Sequence, residues 1–458
     1  MRTHRGEVLL ATILCLLVPG GAAAESLPKD AEVQAILKER VDSGRSSGIV
    51  AGLLEGSGRR VVGYGKSGPA DKPLDGDSVF EIGSATKVFT AALLAEMVRR
   101  GEVKLDDPVS KFLPETVRMP ARNGRQITLL DLATQTSGLP RLPGNLAPKD
   151  PRNPYADYSV EQMYDFLSHY ELTRDIGEKY EYSNLGVGLL GHALARKAGM
   201  SYEELVKKRI LEPLGMKDTA ITLTAPMKAR LAPGHAAGGA AAANWDLPTL
   251  AGAGALRSTV NDMLKFLAAN LDPGDGPLPA SLKETHRVRH ATDGPDLDIG
   301  LAWHVFHRFG ADLVWHNGET GGYHSWIGLV ESKRIGAVVL SNSATSIDDI
   351  GLHLLESRFP LAPPPKQRHE VTLGAKLLET YVGEYRLAPT FSITVTREGE
   401  ALFLQATGQS KLPVYAESET EFFLKAVDAQ ITFVKEDGRV SGLVLHQNGR
   451  DVPGEKVR

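Results

Sequence analysis

Apolar residues fall into helical spacing at three places along the chain. Over Ser84 to Arg100, Phe89, Leu93 and Met97 recur every fourth position, and the run stops at Gly101, a residue suited to a helix end. A second helix is expected from about Leu185 to Ala198, before Gly199. A third is expected near Thr259, where Thr259-x-x-Asp262 resembles a capping box ahead of Met263, Leu264 and Phe266. Short apolar runs at Ile49 to Leu54, Arg60 to Tyr64, Trp326 to Val330 and Ala337 to Leu340 predict strands, the last two paired across the turn-prone Glu331 to Arg334. Helices and strands mix without a repeat period from about Glu32 to Phe359, as expected of one large α/β unit. Leu361-Ala362-Pro363-Pro364-Pro365-Lys366 then breaks the pattern, because three prolines remove donors and stiffen the backbone. Beyond it the period becomes two, as in Phe391, Ile393 and Val395, Leu402 and Leu404, and Ile431 and Phe433, with turns at Glu398-Gly399, Asp437-Gly438 and Asn448-Gly449. This tail predicts a small antiparallel β-barrel or sandwich, and its histidines, His369 and His446, have no metal-ligand neighbour at useful spacing.

The first residues change the compartment. Arg2 and Arg5, the apolar run Val8 to Val18, and Pro19, Gly20 and Ala22-Ala23-Ala24 have the layout of a secretory signal, with cleavage expected after Ala24. The run is about half of the ~20 residues needed to span a bilayer, so no stable membrane anchor is expected after cleavage. The single cysteine, Cys15, lies inside it behind Leu14, so a mature chain would hold no thiol for disulfides, zinc or nucleophilic attack. A periplasmic or secreted protein is the expectation. Hydrophobic residues at 42% and charged residues at 24% exclude a disordered chain, and the net charge of −4 gives no reason to expect nucleic acid as a partner.

The catalytic candidates follow by elimination and then by combination. No Gly-x-Ser-x-Gly elbow occurs, and His-Glu-x-x-His is also missing; His286/His290 and His304/His307 lack a third ligand and read as structural. Phe80-Glu81-Ile82-Gly83-Ser84-Ala85-Thr86-Lys87 puts a serine at a helix start with a lysine three residues on, hence on one face. There the helix N-terminus offers N–H groups to a developing oxyanion, and a desolvated Lys87 can take the serine proton. Ser-x-x-Lys alone is cheap, since Ser26-Leu27-Pro28-Lys29 also satisfies it. Two more pieces follow in order: Tyr182-Ser183-Asn184 before an apolar helix, and His316-Asn317-Gly318 followed by Glu319. Each alone also reads as ordinary structure, a capped helix start and a Gly-rich hairpin. Lys66-Ser67-Gly68, a similar-looking box, precedes Ser84 and reads as a turn.

Taken together, Ser84-x-x-Lys87, Tyr182-Ser183-Asn184 and His316-Asn317-Gly318 resemble the penicillin-recognising serine hydrolases, most closely class C β-lactamases and the related D-Ala-D-Ala peptidases and esterases. Thr136-Ser137-Gly138-Leu139-Pro140, Leu211 to Met216 and Gly254 to Thr259 also look like family segments, so the resemblance covers roughly Glu32 to Phe359. It implies an α/β (α+β) fold of the β-lactamase/transpeptidase type: an antiparallel sheet flanked by helices, with a helical subdomain. The expected division is a signal peptide over 1–24, the hydrolase over 25–360, a Pro-rich linker over 361–368, and a lipocalin-like C-terminal β-barrel over 369–458. By resemblance Ser84 is the nucleophile, Lys87 accepts or holds its proton, and Tyr182 is the general base or proton shuttle. Asn184, His316, Asn317, Gly318 and Glu319 bind substrate. The N–H groups of Ser84 and of Glu319, expected at the head of the strand after Gly318, form the oxyanion hole. No metal or organic cofactor is implied.

The departures bear on the substrate. Class C enzymes usually have Lys where His316 stands, and histidine, with an unperturbed pKa of about 6.5, is mostly neutral at pH 7. Tyr182, unperturbed at about 10, would then need a large depression to act as phenolate, and proton shuttling with Lys87 or His316 is the gentler route. The leading expectation is a β-lactamase of the class C type. D-Ala-D-Ala carboxypeptidase, endopeptidase or small-ester esterase activity is the alternative, and a slowly deacylating penicillin- or peptidoglycan-binding protein belongs to a different class. The partners expected are a small-molecule acyl donor and peptidoglycan.

Overall fold

The structure, a computed structural model, describes residues 27–67, 72–271, 277–364, 368–388, 391–407, 411–425, 429–447 and 450–457. The expected signal peptide, Cys15, Gly68 and the Asn448-Gly449 turn lie outside the described residues. The first unit is built on an eight-stranded antiparallel sheet. In spatial order its strands are Gly58–Gly65, Gly48–Glu55, Ile335–Ser341, His324–Val330, Ala311–Glu319, His304–Arg308, Leu297–Ile299 and His290–Ala291. Helices Asp30–Asp42 and Asp348–Leu355 cover one face, packing on Ile49, Ala51, Trp326 and Val339, while Val260–Leu271 and Thr86–Arg99 close the other around Val50, Ile327 and Val338. Because both faces are covered, the central strands read as continuous apolar runs. Every residue of His324–Val330 and Ile335–Ser341 is buried.

The sequence-based elements are present, each extended by a residue or more. The pair Val330↔Ile335 closes the expected hairpin through a turn in which Arg334 is left-handed at φ 55°. The helix expected from Ser84 begins at Thr86 after a short 3₁₀ turn, Gly83–Ala85, and Gly101 and Gly199 take the left-handed positions after their helices. Thr259 Oγ1 accepts from Asp262 N–H (3.2 Å), whereas the Asp262 carboxylate accepts from Asp218 N–H (2.7 Å), so that cap is only half of a box. The helical part of the unit carries Val160–His169, Asn184–Ala198 and shorter helices between residues 129 and 254.

Residues 361–364 are hydrogen-bonded to the first unit rather than free: Arg45 donates to the carbonyls of Ala362 (3.0 Å) and Pro363 (3.1 Å). Eight antiparallel strands from Gly383–Ala388 to Arg450–Lys456 then close into a barrel. Helix Ala375–Tyr381 stoppers it through Leu378 and Tyr381, the latter stacked on Phe433 at 4.3 Å. The Asp437-Gly438 turn has both residues at positive φ (49° and 74°), the hairpin geometry its sequence predicts. His446 joins Thr432 (2.9 Å) and Asp451 (2.7 Å) in a cross-strand cluster on the barrel surface.

Candidate active site

Two glycines let the serine turn and the sheet edge meet. Gly83 has φ +47°, and a Cβ there would lie 2.8 Å from Glu319 N; a Cβ on Gly318 would lie 2.0 Å from Ile82 O and 2.8 Å from Ala85 N. The Glu319 N–H is thereby held beside the Ser84 turn, where an oxyanion hole needs it. Glu319 is the last residue of Ala311–Glu319, not the first of the strand that follows; Thr320 to Tyr323 make the turn between the two. Strand Arg257–Thr259 pairs with Val79–Glu81 just ahead of the serine, and Thr86 Oγ1 accepts from Leu256 N–H (3.1 Å). The Gly254 to Thr259 segment singled out in the sequence is the scaffold of the Ser84 turn.

Lys87 is fully buried on the first turn of its helix. Its Nζ lies 3.0 Å from Ser84 Oγ, 2.8 Å from Asn184 Oδ1 and 2.7 Å from Ala253 O. Burial, helped by the Arg141 guanidinium, holds its ammonium pKa well below the usual lysine value. A neutral amine fits these three neighbours: two N–H groups donate to Asn184 and Ala253, and the lone pair receives the Ser84 hydroxyl proton.

Tyr182 stands over this pair, with Lys87 Nζ 4.8 Å from its ring centre on the amine side and the Arg141 guanidinium at 5.1 Å. Burial pushes its phenol up to about 12, against the opposing pull of the hydrogen-bonded Ser84 hydroxyl and of Arg141. It is therefore a protonated phenol at neutral pH. Its backbone is clamped by Gln135, whose carbonyl accepts from Glu181 N–H (2.8 Å) and whose Oε1 accepts from Ser183 N–H (2.8 Å). Gln135 is itself left-handed, at φ 62°. Ser183 caps helix Asn184–Ala198, accepting from Gly186 N–H (2.8 Å) while donating to Pro140 O (2.6 Å), which ties the Thr136 to Pro140 segment to the tyrosine.

The remaining candidates divide by strand alternation. His316 is fully buried on the Ser84 face, its ring 6.2 Å from Tyr182 and 5.2 Å from His304. Burial, then His304 and Lys87, hold its pKa well below 6.5, so it is neutral. Nδ1–H donates to Asn317 O (2.5 Å), and Nε2 is buried without a hydrogen-bond partner. Asn317 turns to the opposite face, where its amide donates to Asp348 Oδ2 (2.6 Å) at the start of helix Asp348–Leu355; His324 meets the other carboxylate oxygen at 3.0 Å. Ser84, Lys87, Tyr182, Asn184, His316, Gly318 and the Glu319 backbone thus converge, while the Asn317 side chain does not join them.

Several neighbours were not legible beforehand. Gln135 and Arg141 flank the family-like Thr136 to Pro140 segment, and that adjacency was the available signal. His304, read from sequence as structural, hydrogen-bonds Tyr180 (3.0 Å) directly behind His316. Among the described residues no group of three or more His, Cys, Asp or Glu is placed to hold a metal ion, and no helix is long and apolar enough to cross a membrane.

Comparison with known proteins places this geometry. Residues 33–354 match the Beta-lactamase family model, and residues 367–456 match a domain of unknown function, DUF3471. The chain is 32% identical over 310 residues to the D-alanyl-D-alanine-carboxypeptidase/endopeptidase AmpH of Escherichia coli, covering 64% of this chain and 79% of that protein. The beta-lactamase/D-alanine carboxypeptidase of Yersinia pestis superposes with TM-score 0.62 at 26% identity, over 69% of this chain and 94% of that one. The octameric penicillin-binding protein homologue of Pyrococcus abyssi shares the fold over 93% of this chain and 100% of its own, with TM-score 0.64 at 23% identity. With the matched model spanning the whole Ser84, Tyr182 and His316 constellation, the chain belongs to the Beta-lactamase family of serine hydrolases.

Proposed function

We propose that the chain is an exported acyl-serine peptidase that cleaves D-Ala-ended peptides, with β-lactams as slower acyl donors. One observation carries the substrate reading. Sheet pairing between His304–Arg308 and Ala311–Glu319 ends at Trp315↔His304, so His316 to Glu319 have no strand neighbour on that side among the described residues. An extended peptide can pair with that edge beside Ser84, as peptides do when they add to a sheet. Likeness to AmpH, a carboxypeptidase/endopeptidase by name, supports the same class.

The proton path follows from the two perturbed groups. Ser84 Oγ attacks the acyl carbon as its proton passes to neutral Lys87, and the oxyanion meets the N–H groups of Ser84 and Glu319. Tyr182 gives its phenol proton to the departing amine and is reprotonated from the Lys87 ammonium. The same groups in reverse activate water for deacylation. Buried neutral His316 takes no proton in this cycle; its ring packs behind Tyr182.

The test pairs a D-Ala-ended peptide with a reporter cephalosporin, following product release and the mass of the Ser84 peptide. Release of D-Ala with a transient adduct, a longer-lived adduct with the cephalosporin, and loss of both in Ser84→Ala are expected. Rapid cephalosporin turnover without D-Ala release would return the assignment to a β-lactamase. Because His316 stays neutral, His316→Gln should leave the acidic limb of kcat/KM unmoved between about pH 5 and 8; a shifted limb would put its titration into the mechanism.

A further inference from the structure

We propose that Arg141 forms a carboxylate-binding subsite at the mouth of the Ser84 cleft, so that this enzyme selects acyl donors carrying a carboxylate close to the scissile carbonyl. The inference deepens the Ser84 reading above and rests on it.

Arg141 is exposed, yet its backbone is fixed. Its carbonyl accepts from Asn184 N–H (2.9 Å) and Leu185 N–H (3.3 Å), which seats the residue on the N-terminus of the helix that presents Asn184. Its guanidinium lies 5.1 Å from the Tyr182 ring centre, and among the described residues no carboxylate pairs with it. The nearby acid Glu181 is already engaged by Arg174. A phenol ring reaches roughly 3 Å from its centre to its oxygen, so the guanidinium stands within reach of a group a few bonds from a carbonyl held at Ser84. Planar stacking on the tyrosine leaves the N–H edge of the fork free for bidentate pairing.

The opposite end of the site has the wrong sign for this task. Lys87 is buried and spent on Ser84, Asn184 and Ala253, and His316 is a neutral ring inside the sheet. Beside Asn317 stands the carboxylate of Asp348, 27% exposed, followed by Asp349, which pairs with Arg40. A substrate carboxylate laid there would meet like charge. Arg141 also acts electrostatically on Lys87, Tyr155, Tyr180 and Tyr182, which places it over the same small volume as those groups.

The experiment compares Arg141→Gln and Arg141→Lys with the unaltered full chain on three probes. These are an N-acyl-D-alanyl thiolactate, its methyl ester, and a reporter cephalosporin. Arg141→Gln should lower kcat/KM for the thiolactate by about tenfold to a hundredfold, mainly through KM, with the neutral methyl ester within about threefold. Arg141→Lys should recover part of the loss. A loss confined to the thiolactate assigns the subsite to peptide-type carboxylates, and an equal loss on the cephalosporin extends it to the β-lactam carboxylate. Equal losses on acid and methyl ester, or no loss on either, overturn the proposal. Absence of a Ser84 adduct in the unaltered chain with every probe would instead overturn the Ser84 reading beneath it.

Discussion

Replacing Gln135 by alanine tests whether Tyr182 is positioned by one buried clamp. Gln135 is 2% exposed and Ser183 0%, so removing Oε1 leaves the Ser183 N–H without its 2.8 Å acceptor and without water. An orphaned buried N–H costs about 1–3 kcal/mol. The Glu181 N–H bond to the Gln135 carbonyl survives any substitution, so the tyrosine keeps one anchor and loses the other. Misplacement of a reacting group by about 1 Å can cost on the order of a hundredfold in rate, so kcat should fall about tenfold to a hundredfold with KM little changed. Gln135→Gly separates the clamp from the backbone. It removes the same acceptor but relieves left-handed strain of about 1–2 kcal/mol, offset by roughly 0.4–1 kcal/mol of added unfolded-chain entropy. The glycine variant should therefore be at least as stable as the alanine variant, and as slow. The assay is urea unfolding followed by tryptophan fluorescence, which reports the hydrolase unit alone because all four tryptophans, Trp245, Trp303, Trp315 and Trp326, lie in it. An alanine variant within about 0.3 kcal/mol of the parent and with full kcat would refute the clamp, given that a lost buried hydrogen bond should exceed that value. A glycine variant less stable than alanine would refute the strain argument.

Gly318→Ala would place a methyl group 2.0 Å from Ile82 O, so the strand must move off the serine turn. Stopped-flow acylation should slow by about a hundredfold or more, with a stability loss of about 1–3 kcal/mol; normal acylation would mean Glu319 N–H is not in the oxyanion hole. His192 and His304 are held down to about 4 by burial, from 6.5 when unfolded, so the unfolded chain binds more protons below pH 6.5. Their stabilisation is complete above that value and is lost as pH falls toward about 4. The urea midpoint should therefore drop between pH 6.5 and about 5, before ordinary carboxylates titrate. His307, raised by Asp312 and Asp298 at the surface, opposes this weakly. A flat midpoint over that window would rule out the buried neutral imidazoles.

The sequence by itself determined the elements and the reacting groups. Helical spacing located Thr86–Arg99 and Asn184–Ala198, apolar runs located the four central strands, and period-two alternation with Asp437-Gly438 located the barrel, because each signal is local in the chain. Ser84, Lys87 and Tyr182 were legible because their chemistry needs those residue types in that order. Tertiary structure decided the rest, since the deciding neighbours are distant in sequence. Lys87 loses its charge because helix and sheet exclude water around it and supply only neutral acceptors from Asn184 and Ala253. Asn317, adjacent to His316, is sent to Asp348 by the alternation of a strand whose register no local pattern fixed. Gln135 and Arg141 became part of the site only when the Thr136 to Pro140 loop closed on Ser183, placing one behind Tyr182 and the other across its face.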